Sequence, residues 1–90
     1  MEMRRLRSFI AVAEELNFRR AAERLHVAQP ALSRQIQDLE ASLQLRLFAR
    51  DRRQVSLTAA GTILLEKARA IVCQMADLNS TAQRLRGDAR

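Results

Sequence analysis

At 90 residues the chain fits one small domain with at most one projecting element, and its 48% apolar share argues against disorder. Three phenylalanines without Trp or Tyr argue against base stacking, hence against single-strand nucleic-acid binding, and two Gly with one Pro are too few for a turn-rich fold. The formal charge is +6, and of sixteen basic residues only Lys67 is not arginine, which points to a polyanionic partner, nucleic acid being one choice among several.

In chain order, Leu6, Phe9, Ile10, Ala13 and Leu16 trace one helical face, and Asn17 interrupts the pattern as a cap. A second, short helix is predicted over about 18–25, with Ala21, Ala22 and Leu25 apolar. His26, Val27 and Ala28 form a connector too short to be an element. A third helix is predicted over about 30–43: Pro30 suits a first helical turn, and Leu32, Ile36, Leu39 and Leu43 step by four, three and four. Leu25, Val27, Leu32 and Ile36 are expected to fill the space between the second and third helices.

From Leu45 to Leu57 the pattern changes to period two. Leu45, Leu47 and Phe48, a polar tip from Arg50 to Gln54, then Val55 and Leu57 alternating with Ser56 read as a β-hairpin. Thr58 stands at an N-cap position with Gly61 in the following turn. Leu64, Ala68, Ile71, Met75, Leu78, Ala82 and Leu85 then recur in steps of four and three, a coiled-coil seam on a long helix. Packing on the first helix accounts for the first two turns of that stripe but not the last three, so a homodimer is expected through it. Cys73, the lone cysteine, allows no disulfide within the chain and is expected to be a buried thiol.

The fold class expected is therefore mainly α: a winged helix-turn-helix over 1–57, a dimerisation helix over 58–87, and a frayed end or linker start at 88–90. Two short helices joined by a three- or four-residue connector, with small Ala21 and Ala22 in the first, form a helix-turn-helix pattern. With Leu32, Ile36 and Leu39 turned inward, Pro30, Ser33, Arg34 and Gln37 share the opposite face, and Gln29 joins them at the helix start. Amide, hydroxyl and guanidinium groups there suit base edges in a major groove of double-stranded DNA. Arg50, Arg52 and Arg53 on the hairpin are expected at phosphates or in the minor groove. Arg19 and Arg20, at the start of the second helix, are candidates for phosphate contact and equally for plain surface charge.

The remaining chemistry is expected to be absent. His26 is the sole histidine, with no cysteine near it, so no metal site is expected and its role is structural in the turn. Glu14 and Glu15 are adjacent and so diverge by about 100° on a helix. No nucleophile–base pair or glycine-rich phosphate loop occurs, and neither an enzyme nor a cofactor is expected. Early arginines at positions 4, 5 and 7 do not fit a signal peptide, and no apolar run approaches the roughly 18–20 residues that span a bilayer. A cytoplasmic protein without a membrane partner is expected.

The stretch from Phe18 to Glu40, the Leu47-Phe48-Ala49-Arg50 run and Leu57-Thr58-Ala59-Ala60-Gly61 closely resemble the LysR-type transcriptional regulators. The opening from Met3 to Glu14 is similar too, so the resemblance covers about residues 1–65, and the rest fits that family's linker helix. It implies a winged helix-turn-helix that binds an interrupted inverted repeat and regulates bacterial transcription, with linker helices paired antiparallel in a dimer. It also implies tetramers in full-length proteins and a C-terminal domain that senses a small-molecule inducer, so the chain is expected to be one piece of a longer protein. Carried onto this sequence, the base-reading positions are Gln29, Pro30, Ala31, Ser33 and Arg34, with the wing arginine at Arg53 or its neighbours. One departure is Gln44, where the family usually has Gly: either Gln44 takes a left-handed cap at a cost of roughly 1 kcal/mol or the third helix ends differently.

Overall fold

The computed structural model describes residues 2–88 as α1 (Met3–Glu15), α2 (Phe18–Leu25), α3 (Gln29–Leu43), β1 (Phe48–Arg50), β2 (Val55–Leu57) and α4 (Ala59–Asp88). The helical periodicities translate directly into burial. Leu6, Phe9, Ile10 and Ala13 of α1, Ala21 and Ala22 of α2, and Leu32, Ile36 and Leu39 of α3 form one apolar cluster, joined by Leu47, Phe48, Leu65 and Ala68. Ala21 and Ala22 carry so little side chain that α2 crosses its neighbours closely, as a helix-turn-helix requires. The three phenylalanines of the chain meet edge to face: Phe48 lies 5.7 Å from Phe9 and 6.3 Å from Phe18 between ring centroids. They fasten the first strand to α1 and α2.

Each of the first three helices ends on a left-handed residue that is not glycine: Leu16, His26 and Gln44. After α1, the Leu16 N–H donates to the Val12 carbonyl in a single αL closure. After α2 and α3 a full Schellman pair forms. Val27 N–H donates to Ala22 and His26 N–H to Glu23, while Leu45 N–H donates to Glu40 and Gln44 N–H to Ala41. His26 thus has the structural turn role expected of it. Gln44 resolves its alternative too: the helix ends where a glycine would end it, with φ 56°.

Gln44→Gly is therefore expected to raise stability. Relief of the left-handed Cβ contact is worth roughly 1 kcal/mol, which corresponds to about 4–8 °C in midpoint for a domain this small. Thermal unfolding followed by circular dichroism checks it, and an unchanged or lowered midpoint would remove strain at this cap.

Several expectations are corrected. Leu16 and Val27 are exposed, at 44% and 40%, because a cap residue and the residue after a left-handed turn swing away from the preceding helix face. Leu45 and Leu47 precede the sheet instead of belonging to it, and Arg50 is its third strand residue, so the tip shrinks to residues 51–54. The strands pair antiparallel, Phe48 with Leu57 and Arg50 with Val55. Cys73 is exposed, not buried. In the seam, Ala68 is buried in the chain's own core and Leu64 packs partly against it, so the first is covered and the second partly covered without any partner. Ile71, Met75, Leu78 and Leu85 remain exposed. The helix continues through Asp88, within the stretch expected to fray, and residues 89–90 lie outside the described residues.

Candidate nucleic-acid interface

The buried side of α3 decides what its other side can do. Leu32, Ile36 and Leu39 are at most 2% exposed, which anchors the helix in the core and turns Gln29, Pro30, Ala31, Arg34 and Gln37 outward, with Ser33 half-buried beside them. The Arg34 side chain is 77% exposed, and its Nε lies 3.3 Å from the Asp38 carboxylate one turn on. An exposed pair of this kind is weak, about 0.3–0.5 kcal/mol, and a stronger acceptor displaces it readily. The N-terminus of α3 has no side-chain cap, so its first amides stay open.

Arginines flank this face. In the wing, the Asp51 carboxylate accepts from the backbone amides of Arg53 and Gln54, each at 2.8 Å, and the Asp51 N–H donates to the Gln54 carbonyl. Those amides, Arg53 first, hold the Asp51 carboxyl below its usual range. The one negative charge of the tip is thus directed into its own turn, while Arg52 and Arg53 stay exposed. The Arg50 guanidinium sits over the Phe18 ring, its carbon 4.2 Å from the centroid, a cation–π contact that orders it, and the residue stays exposed. At the start of α2 the Asn17 side chain accepts from the Arg20 N–H, fixing that helix end, with Arg19 and Arg20 both exposed.

One open recess brings Arg19, Gln29, Arg50, Arg52 and Arg53 together between the start of α2, the start of α3 and the wing. Arg20 is not among its walls. Gln37 lines a second recess at the far end of α3, together with Arg46 and again Arg50. Arginines therefore accompany the polar face along its length. The apolar seam lies apart from this surface, where Met75, Leu78, Ala82 and Leu85 form one open face on the outer half of α4.

Sequence reasoning missed three features here. Arg46 joins the basic rim, and Arg50 stacks on Phe18 instead of standing at the tip. Glu40, given no role from the sequence, accepts the backbone amides of Leu47 and Phe48 at 2.7 and 3.2 Å. The available signal was the left-handed cap at Gln44, after which the incoming strand needs acceptors for its first amides. Glu14 and Glu15 also have a structural use. Arg24 bonds to both, and Arg69 bonds to Glu14, which ties α1 to α2 and α4. The bond from Arg24, then that from Arg69, holds the Glu14 carboxyl below its usual range against the opposing effect of burial, and Glu14 in turn raises Arg24. Among the described residues no group of three His, Cys, Asp or Glu could hold a metal, and no helix is long and apolar enough to cross a membrane.

Comparison with known proteins places this geometry. Residues 3–62 match the family profile described as bacterial regulatory helix-turn-helix protein, lysR family. The Hca operon transcriptional activator HcaR of Escherichia coli K12 is 51% identical over 85 residues, 94% of this chain and 29% of that protein. The regulator ClcR of Pseudomonas putida is 58% identical over 72 residues, 80% of this chain and 24% of that one. The chain thus spans under a third of the length of these relatives. Among solved structures, the BenM DNA-binding domain in complex with catB site 1 DNA superposes with a TM-score of 0.91 at 41% identity, covering 94% of this chain and 96% of that one. The CbnR DNA-binding domain in its DNA complex gives 0.84 at 49% identity, with each chain fully covered.

Proposed function

This chain belongs to the lysR family of bacterial regulatory helix-turn-helix proteins, and from that premise we propose that it binds double-stranded DNA sequence-specifically as a homodimer on an interrupted inverted repeat, and so regulates transcription. The observation that carries the reading is the outward face of α3, whose hydrogen-bonding side chains run beside an arginine-lined recess. Gln29, Pro30, Ala31, Ser33, Arg34 and Gln37 read bases from the major groove. Arg50, Arg52 and Arg53 of the wing, with Arg19 and Arg20 of α2, hold phosphates or enter the minor groove. Residues 1–57 are the reading unit and 58–87 the linker through which two copies pair. That solved relatives at 41% and 49% identity are complexes with DNA supports this assignment.

The chain acts as a binder without catalytic activity, in the cytoplasm, where a bacterial chromosome is reached. A longer protein carrying it would add a domain that senses a small-molecule effector and would assemble as a tetramer.

Fluorescence anisotropy against duplexes selected from random sequence, at several salt concentrations, tests the proposal. An enriched inverted repeat bound by two chains is expected. Arg34→Ala is expected to lose about 1–3 kcal/mol on the selected duplex and little on random DNA. Arg52→Ala should weaken all duplexes alike and lower the salt slope by about 1. Equal losses by both variants on both kinds of DNA would overturn this division of roles, and no enrichment at all would overturn sequence reading.

A further inference from the structure

Three elements converge on the backbone of a single residue, Leu47. On one side its N–H, and that of Phe48, donate to the same oxygen, Oε2 of Glu40 on α3. On the other side its carbonyl accepts the Thr58 N–H at 3.0 Å, while the Thr58 hydroxyl donates to the Arg46 carbonyl at 2.6 Å. Gly61 in the first turn of α4 presses against the same carbonyl so closely that a Cβ there would lie 2.2 Å from it. The reading helix, the root of the wing and the start of the linker helix thus share one joint.

Apolar packing cannot by itself define that joint. Phe48 is held at depth by Phe9 and Phe18, but ring contacts tolerate sliding and rotation about the strand. Hydrogen bonds to a carboxylate are directional and short, and they fix what packing leaves free. Glu40 is well placed to impose this, with a side chain only 12% exposed and Arg46 3.8 Å away. It stands on the same helix as the base-reading face, and β1 runs from Phe48 to Arg50, directly into the arginine-bearing tip. A change at Phe48 therefore displaces Arg52 and Arg53 relative to Arg34.

We propose that Glu40 is a positioning residue for DNA recognition: by clamping the Leu47 and Phe48 amides to α3 it sets the reach of the wing arginines relative to the bases read by that helix. The inference rests on the DNA reading above. Glutamine can accept both amides at the same place, since its side-chain oxygen matches the carboxylate oxygen in reach, whereas alanine cannot.

The test has two parts. In the DNA-free 90-residue chain, amide exchange of Leu47 and Phe48 is expected to accelerate at least about tenfold in Glu40→Ala and to stay near wild type in Glu40→Gln. On the selected duplex, Glu40→Ala is expected to bind about tenfold more weakly, with Glu40→Gln restoring most of the loss. The deciding measurement is a cycle with alanine at both Arg52 and Arg53. That pair is expected to cost at least about tenfold in the wild-type background and under about threefold in Glu40→Ala, because the wing is then already misplaced. The same loss in both backgrounds, or no loss in wild type, would overturn the positioning role, and unchanged exchange would overturn the clamp itself. A wild-type chain that binds no duplex would sink the DNA reading and the positioning role with it, while the exchange rates still decide the clamp. Should Glu40→Ala fail to fold, Glu40→Asp, one methylene short, replaces it with the same expectations.

Discussion

Aspartate in place of Leu78 is expected to yield a folded chain that sediments as a monomer and binds the selected duplex on the order of a hundredfold more weakly. The expectation follows from where α4 stops being supported. A helix of 30 residues is about 45 Å long, and the molecule measures 58 Å along its longest axis against 25 and 19 Å across. Only the inner part packs on the core, through Leu64, Leu65, Ala68 and Val72. Beyond that point Leu78 and Leu85 are 66% and 64% exposed. Since Leu78 contacts none of the core, a charge there costs the isolated chain little. In a paired seam the same charge is buried without a partner, which costs several kcal/mol. A monomer holds one half-site at a time and forfeits the effective concentration that tethering gives the second. Sedimentation velocity together with far-UV circular dichroism checks both halves of the claim. A full dimer in the variant would show that the seam is not the interface. Ala68→Asp should behave differently and unfold the chain, since Ala68 is 2% exposed within it.

The contrast between Ala68 and Leu78 marks what the sequence could express. A stripe at steps of four and three announces a buried helix face but not whose atoms bury it. Packing on the first helix was expected to account for its first two turns, yet Leu64 and Ala68 were still assigned to the same dimer seam as Leu78, although the chain's own core takes in Ala68 and part of Leu64. Helices α1 and α3 were legible because each has one apolar face and the core is that face. The outward polar face of α3 was legible for the same reason, as the complement of Leu32, Ile36 and Leu39. Local exceptions were not. Val27 and Leu16 are apolar by composition yet exposed, because left-handed turns without glycine redirect the chain, and nothing in residue type signals a left-handed Leu16. Leu45 and Leu47 mimic strand alternation, but Leu47 is buried by its ties to Glu40 and Thr58, outside the two-stranded ladder. Glu40 itself looks like any charge on the last turns of a helix. Its role exists only once the chain has folded back to bring two amides within 2.7 and 3.2 Å of it. Roles of this kind depend on tertiary closure, which periodicity does not encode.

Gly61→Ala is expected to cost much stability although it adds only one methyl group. Within a helix the exchange should help, since alanine is favoured over glycine by roughly 1 kcal/mol. Here the added methyl would meet the Leu47 carbonyl oxygen at 2.2 Å, its carbon at 3.1 Å and a Leu57 methyl at 2.9 Å. The leucine methyl can rotate aside, but the carbonyl is backbone, held by the Thr58 N–H and flanked by the Glu40 clamp. Relief requires α4 and the strand root to separate, which stretches the Thr58 bonds to Leu47 and Arg46 and loosens the packing of buried Leu47. Overpacking against rigid atoms typically costs 1–3 kcal/mol and sometimes more; with two strained hydrogen bonds added, the net after the helix gain is about 2–3 kcal/mol. For a domain of this size that lowers the thermal midpoint by on the order of 10–20 °C. Gly87→Ala is the internal control, because a Cβ there meets nothing within 4 Å; it should leave the midpoint unchanged or slightly raised. Scanning calorimetry on both variants separates the two effects. A Gly61→Ala midpoint equal to wild type would mean that the linker helix can move off the wing root at no cost, and that the joint at Leu47 does not fix the angle between them.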